Sequence, residues 1–261
     1  MIRFASLGSG SEGNALLIES GATRVLLDCG FGYKEAQRRL ERLGISPESI
    51  DAIIITHEHS DHIGGAARFC DVFGATLMMT YGTHWAARDA YARAYAEREV
   101  RCFDSGEVFA VGDIEVHPFA VPHDARQPVQ CVFTDGDVRL GVLTDVGEST
   151  LIIEAALSAC DALVLEANHD EAMLANSSYP PSLKRRIAGK HGHLSNVASA
   201  TILRRIDCSK LTHIVAAHLS KHNNTPEHAR AALSDALHCA PDWVDVACQQ
   251  QGFAWKELRP S

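Results

Sequence analysis

No stretch of the sequence approaches the roughly 18 uninterrupted apolar residues that mark a membrane-spanning helix. The opening Met1-Ile2-Arg3-Phe4 passes at once into Gly8-Ser9-Gly10-Ser11, with no basic region ahead of a long apolar one. Both absences lead us to expect a soluble, unexported chain that makes no use of a membrane. Cys-x-x-Cys pairs are missing too. The eight cysteines (29, 70, 102, 131, 160, 208, 239 and 248) are scattered through 261 residues. A chain of that length has no need of disulfide staples, so they read as reduced thiols of a cytoplasmic protein, and Cys29 as a small core residue. Positive charge is in deficit: 24 Lys and Arg stand against 33 Asp and Glu, a formal charge of −9. That balance argues against binding along a phosphate backbone, although two divalent cations in an active site would offset it locally. Neither an internal linker nor a short-period repeat is visible. With 46% hydrophobic residues the chain is expected to form a single catalytic domain over residues 1–261.

Short apolar runs, Ile2–Leu7, Ala15–Glu19 and Val25–Asp28, are separated by Gly, Ser and Asn, the punctuation of an antiparallel meander. Helical spacing follows in Tyr33–Leu43, whose alternating charges read as ordinary helix-surface pairing. Ala52–Thr56, with three isoleucines, reads as a buried central strand. Gly64–Phe73 and Gly82–Glu99 look helical around a strand at Ala75–Thr80, and Glu107–Val121 reads as a hairpin turning at Gly112-Asp113. Val129–Thr134 and Val138–Thr144 flank Asp135-Gly136, a dipeptide suited to a tight primed turn. Helices at Ser149–Ala159, Asn196–Ile206 and Pro226–His238 then alternate with strands at Ala162–Glu166, Ile214–Ala217 and Phe253–Glu257. Two β-rich stretches, each followed by helices, predict an α/β (α+β) architecture of two sheets covered by helices on the outside.

Chemistry concentrates in Thr56-His57-Glu58-His59-Ser60-Asp61-His62, where three imidazoles and two acids follow a buried strand within six residues. In extended geometry His57 and His59 point to the same side, and the turn after Ser60 can aim Asp61 and His62 at a second point. Nitrogen and oxygen donors of this kind suit zinc, and three or four protein ligands per ion leave a position for water. A polar loop with incidental histidines is the competing reading. Farther along, His117 and His123 lie on either side of Pro118-Phe119-Ala120-Val121; His123 falls past Pro122, where the strand should have ended.

The pattern His57-x-His59-x-Asp61-His62 resembles the signature of the metallo-β-lactamase-fold hydrolases. The resemblance implies a four-layer αββα sandwich of two related halves, with the remaining ligands on loops at strand ends. His123-Asp124-Ala125 is similar to the family's loop, Asp145 in Leu143-Thr144-Asp145-Val146-Gly147 to its bridging carboxylate, and His218 in Ala216-Ala217-His218 to its last ligand. By this resemblance His57, His59 and His123 hold one divalent ion and Asp61, His62 and His218 the other. Asp145 and a hydroxide bridge the pair, with Asp61 among the catalytic groups. Zinc is the default metal, and manganese or iron would use the same donors. Glu58 is expected to face away or to brace a ligand.

Five further stretches are similar to the YycJ/WalJ-like branch of this superfamily: Ser6–Asn14, Glu166–Asp170, Tyr179–Ile187, Gly192–Asn196 and His218–Asn224. That branch implies a phosphodiesterase, specifically a 5′-to-3′ exonuclease on DNA ends. The same metals would serve a phosphodiesterase of small cyclic or nucleotide phosphates, or a thioester or lactone hydrolase. A non-catalytic metal-binding module is the reading from another class. Ser9, Ser11 and Asn14 are candidates to meet a phosphate, although Gly8–Asn14 reads equally as a tight turn. By resemblance to tRNA 3′-processing enzymes, His193 is the proton donor to the leaving oxygen and Glu166 orients it; capping of the helix after Ser195 is the plainer role for His193. Lys184 and Arg185, within Lys184-Arg185-Arg186, fit either phosphate contacts or a solvated helix face. His222 is close enough to His218 in sequence to line the site.

Overall fold

The computed structural model describes residues 1–260. Its first half runs β1 (Ile2–Gly8), β2 (Ala15–Ser20), β3 (Thr23–Leu27), α1 (Tyr33–Arg42), β4 (Ala52–Ile55), α2 (Ser60–Ile63), α3 (Ala66–Phe73), β5 (Thr76–Thr80), α4 (Tyr81–Ala90), α5 (Ala92–Tyr95) and β6 (Arg101–Phe103). The second runs β7 (Phe109–Val111), β8 (Ile114–Ala120), β9 (Val129–Thr134), β10 (Arg139–Leu143), α6 (Leu151–Leu157), β11 (Ala162–Glu166), α7 (Glu171–Asn176), α8 (Pro181–Ile187), α9 (Asn196–Arg205), β12 (His213–Ala217), α10 (Pro226–Leu237), β13 (Val244–Val246) and β14 (Phe253–Leu258). Two seven-stranded sheets result, ordered β14-β1-β2-β3-β4-β5-β6 and β13-β12-β11-β10-β9-β8-β7. Each sheet begins antiparallel (β1-β2-β3; β7-β8-β9-β10) and continues parallel (β3-β4-β5-β6; β10-β11-β12-β13). β14 crosses back to pair with β1.

Strand periodicity explains the layering. Ala52 and Ile54 of β4, Val164 of β11 and Val215 of β12 fill the core between the sheets with Phe4 and Phe133. Ile53 and Ile55 point the other way, onto Ala36, Leu40 and Phe69 of α1 and α3. Leu163, Leu165 and Ile214 meet Ile153, Leu203 and Leu233 of α6, α9 and α10. Because both faces of the central parallel strands are covered, their middle positions are apolar in succession, and the architecture is the expected αββα sandwich. No helix is long and apolar enough to cross a membrane, and among the described residues all eight cysteines are free. Cys29 is fully buried, and burial pushes its thiol far above the ordinary cysteine range.

Several expected elements differ in detail. The helix anticipated over Gly82–Glu99 breaks at Tyr91, whose backbone (φ −131°, ψ 42°) leaves helical geometry. The break buries the ring of Tyr95, whose hydroxyl donates to Ile63 O at 3.3 Å. Asp135-Gly136 does not form a two-residue turn, since Thr134 pairs with Arg139 and four residues intervene. Asp135 Oδ1 accepts from the backbone N–H groups of both Asp137 and Val138 at 3.1 Å, and that needs the longer loop. The edge strands β6 and β13 are three residues each, too short to show a period.

Arg38 on α1 pairs with Glu35 in the exposed manner the charge pattern suggests, whereas Arg39 is buried. Its guanidinium lies 3.9 Å from the centroid of Phe31 and donates to Glu35, to Leu7 O at 2.6 Å and to Gln249 O at 2.9 Å. α1, the end of β1 and the loop before β14 are thereby tied together. Replacing Arg39 by Met leaves Leu7 O and Gln249 O without this donor while Glu35 keeps Arg38, so urea unfolding should show a loss of about 2 kcal/mol. Arg38→Met should stay within about 0.5 kcal/mol of the parent. Equal effects at the two positions would refute the clamp.

Candidate metal centre

All the residues of the cluster lie where strands end. Asp28 follows β3, the His57–His62 segment follows β4, Asp145 lies two residues past β10 and His218 directly follows β12. Asp28, Asp145 and His218 take left-handed backbone angles, with φ of 65°, 53° and 55°. Such angles are costly for residues with a side chain and persist where surrounding structure imposes them. Here they turn three polar side chains into the gap at one end of the sandwich.

Two groups of donors form. His57, His59 and His123 make one and Asp61, His62 and His218 the other, each with candidate ligand atoms within 4.8 Å of one another. Asp145 stands between them, with Oδ2 3.2 Å from His62 Nε2 and Oδ1 3.5 Å from His218 Nε2 and 4.0 Å from His123 Nε2. His117 lies elsewhere, exposed on β8 and bonded to Glu115 at 2.6 Å, so the pairing with His57 and His59 falls to His123. Burial pushes His57 and His123 below the ordinary histidine range. Burial also opposes charge on His62 and His218, but Asp145 outweighs it. His62, helped by Asp28, is held well above its usual range and His218 rises to about 10. Asp145 itself is kept far below the usual carboxylate range, burial being overcome by His218 and His62. Asp145 Oδ2 and His218 Nε2 are nonetheless buried with no hydrogen-bond partner. An unpaired carboxylate oxygen and an unpaired ring nitrogen, buried together, are what a divalent cation satisfies, so the histidine and aspartate clusters fit a dinuclear metal site.

Supporting contacts set the direction of each ring. Asp28, buried, takes His62 Nδ1 at 2.8 Å and the N–H and hydroxyl of Thr56 at 2.8 and 3.1 Å. Thr56 Oγ1 in turn lies 2.9 Å from His57 Nδ1, so one carboxylate orients two rings and leaves each Nε2 facing inward. The sequence reading assigned Asp28 no role. Its signal was an acid ending the apolar strand Val25-Leu26-Leu27, the same pattern that marks Asp145. Glu58 braces no ligand; its Oε1 accepts from Arg126 N at 2.7 Å and so holds the loop that carries His123. His218 Nδ1 lies 3.3 Å from Glu166 Oε1, which also takes His193 Nδ1 at 2.8 Å. Glu166 is fully buried, accepts from Val146 N and Leu194 N through Oε2, and is held at about 2 because His193 overcomes the effect of burial.

A cavity of about 310 Å³ opens over the cluster, lined by Ser11, Asp61, Asp124, Arg186, His193 and His218 among others. Of the residues expected to meet substrate, Ser11 lines it. Ser9 instead accepts from His218 N at 2.9 Å. Asn14 binds Gly10 through both ends of its amide and reaches Asp61 and His62, supporting the second donor group. Gly10 and Gly13 sit at φ 143° and 146°, which only glycine adopts readily, so the Gly8–Asn14 segment is a tight turn that also frames the cavity. Lys184 donates to Ala175 O at 2.6 Å and Arg185 is exposed, and neither lines the cavity; Arg186, the third of the run, does. His222 is turned out against Tyr179.

Comparison with known proteins agrees with this geometry. The chain is 32% identical over 236 residues to exodeoxyribonuclease YycJ of Bacillus anthracis, spanning 90% of this chain and 89% of that one. It is 34% identical over 245 residues to exodeoxyribonuclease WalJ of Streptococcus pneumoniae serotype 2, with 94% and 91% covered. The metallo-β-lactamase fold protein YhfI of Bacillus subtilis superposes with a TM-score of 0.73 at 16% identity, covering 98% of this chain and 99% of the other, a likeness of fold. A family model described as a beta-lactamase superfamily domain matches residues 23–218. The chain therefore belongs to the metallo-β-lactamase superfamily and is a metal-dependent hydrolase of that family.

Proposed function

We propose that the chain is a phosphodiesterase working as a 5′-to-3′ exonuclease on DNA ends, with residues 1–261 forming one catalytic domain. The observation that carries the reading is the convergence of two donor groups on Asp145, beside the His193–Glu166 pair, in a chain that matches exodeoxyribonucleases along some nine-tenths of its length. His57, His59 and His123 would hold one cation, Asp61, His62 and His218 the other, and Asp145 both, with zinc the metal this donor set favours and manganese or iron the alternatives. When bound, two divalent cations supply an acidified water as nucleophile and positive charge for the oxygens of the attacked phosphate.

The chain's own groups do the rest. Asp61 is held well below the usual carboxylate range, its burial overcome by the imidazoles of His218 and His62 at 3.7 and 3.5 Å, and it faces the cavity as ligand and catalytic group. His193 is raised above its usual value, burial being outweighed by Glu166, and its Nδ1 is engaged by that carboxylate. Its second ring nitrogen is thus the one left to protonate a leaving oxygen, and Glu166 fixes its direction. Ser11 offers a hydroxyl to a phosphate oxygen.

A small cyclic or nucleotide phosphodiester is the second reading, favoured by the net charge of −9 and by a cavity of only about 310 Å³. Turnover of a 5′-phosphorylated DNA duplex should exceed that of small phosphodiesters by kcat/KM when manganese or zinc is present. Absence of duplex degradation at every salt concentration would eliminate the nuclease reading and leave the small substrates. His193→Asn should lower kcat on DNA by roughly 10²- to 10⁴-fold with little change in KM, the range for loss of a positioned proton donor. A variant with unaltered kcat would refute the proton-donor role; helix capping is no alternative, because Ser195 caps α9 by accepting from Ala198 N at 3.1 Å.

A further inference from the structure

The cavity over the metal centre is not isolated. A second cavity, of about 250 Å³, lies on the other side of Ser11, walled by Ser9, Leu219, Ser220, Pro226 and Val246. Ser11 lines both cavities and its hydroxyl has no partner among the described residues, so the two adjoin at a small polar side chain.

Each cavity carries one cation, and each cation is paired in the same loose way. In the first, Arg186 donates through Nε to Asp124 at 2.7 Å, and its two Nη groups have no partner among the described residues. Arg186 is 64% exposed and Asp124 32%. Asp124 Oδ1 lies 3.4 Å from His123 Nε2, so the pair sits at the rim of the first donor group. In the second, Lys221 meets Glu12 at 3.1 Å, the two side chains 65% and 56% exposed. Pairs this exposed contribute little to stability. What they do is keep two cations standing over adjoining cavities in a chain that is otherwise acidic. A phosphate competes well for such groups, because it offers a guanidinium two parallel acceptors and an ammonium a concentrated charge.

We propose that the first cavity holds the scissile phosphate over the donor groups together with the nucleotide on one side of it, and the second cavity the nucleotide on the other side, with Arg186 and Lys221 holding the phosphates that flank it. The proposal rests on the nuclease reading and names how that site takes a strand. Leu183 and Ile187, at i and i+4 on α8, give the first subsite an apolar wall for a sugar or base. Leu219, Pro226 and Val246 do the same in the second. Of the three amides that border the second subsite, that of Gln250 has no partner among the described residues and the other two are already engaged. Gln249 accepts from Glu12 N and donates to Gly13 O, and Asn224 bonds Ala167 O and Asn196. Base edges therefore find few partners, and binding is sequence-tolerant.

The test uses the zinc-loaded protein with Arg186→Gln, Arg186→Lys and Lys221→Gln. Binding of a phosphorothioate thymidine hexanucleotide is followed by fluorescence anisotropy across a salt series, and turnover of the unmodified hexanucleotide is compared with that of bis(p-nitrophenyl) phosphate, which carries a single phosphate. Each Gln variant should weaken hexanucleotide binding roughly tenfold and lower the slope of log affinity against log salt by about 1. Turnover should fall several-fold more on the hexanucleotide than on the small diester, and Arg186→Lys should restore the slope but not the full affinity. An unchanged slope in both Gln variants, or equal losses on both substrates, overturns the proposal; a change in one variant alone removes the subsite on the other side. Wild-type protein that degrades the 5′-phosphorylated duplex but does not bind the hexanucleotide refutes the subsites and leaves the exonuclease reading standing. Wild-type protein that degrades neither refutes the exonuclease reading, and the subsites with it.

Discussion

A fully buried carboxylate, Asp145, shared by two groups of imidazoles is the constraint on which the rest of this structure depends. An ionised carboxylate in an apolar sandwich is unfavourable unless cationic charge surrounds it. The protein supplies that charge from His62 and His218, at 3.2 and 3.5 Å, both rings held above the usual histidine range. Two cations would replace the protons these rings otherwise carry, so metal binding and the electrostatics of the core are one problem.

The sandwich solves it with geometry repeated in its two halves. Each sheet changes from antiparallel to parallel pairing, and the parallel strands β3, β4, β10 and β12 deliver Asp28, His57, Asp145 and His218 at the same end of the molecule. Left-handed backbone at three of those positions is local strain held in place by the packed sheets on which they end. Carboxylates outside the donor groups then fix the rings: Asp28 for His62 and, through Thr56, His57; Glu166 for His218 and His193. Glu166 thus serves both a donor-group ring and the proposed proton donor, so a shift of one ring would be felt by the other.

Much of this was legible in the sequence because its signals are local. Three isoleucines followed by three histidines in six residues announce a buried strand that ends in a donor cluster, and two β-rich stretches each followed by helices announce the layers. His123, Asp145 and His218 were found through resemblance, and the structure brings them to the His57–His62 cluster. What was missed depends on contacts between distant segments. Asp28 shows its purpose only when β3 and β4 pair and put it against Thr56 and His62. Arg39 has the sequence context of a surface residue, yet the loop at Gln249, 210 positions away, buries it. The run Lys184-Arg185-Arg186 has equal charges in sequence, and only the direction of α8 turns Arg186 to the cavity while Lys184 faces Ala175. Ser9 and Asn14, whose residue types suit a phosphate, face inward to hold His218 and the turn.

The dinuclear site is most directly tested by anomalous X-ray scattering from crystals grown with zinc. The account predicts two peaks per chain, one bounded by His57, His59 and His123, the other by Asp61, His62 and His218, each within bonding distance of Asp145. A single peak, or peaks that leave Asp145 without a metal, would contradict it.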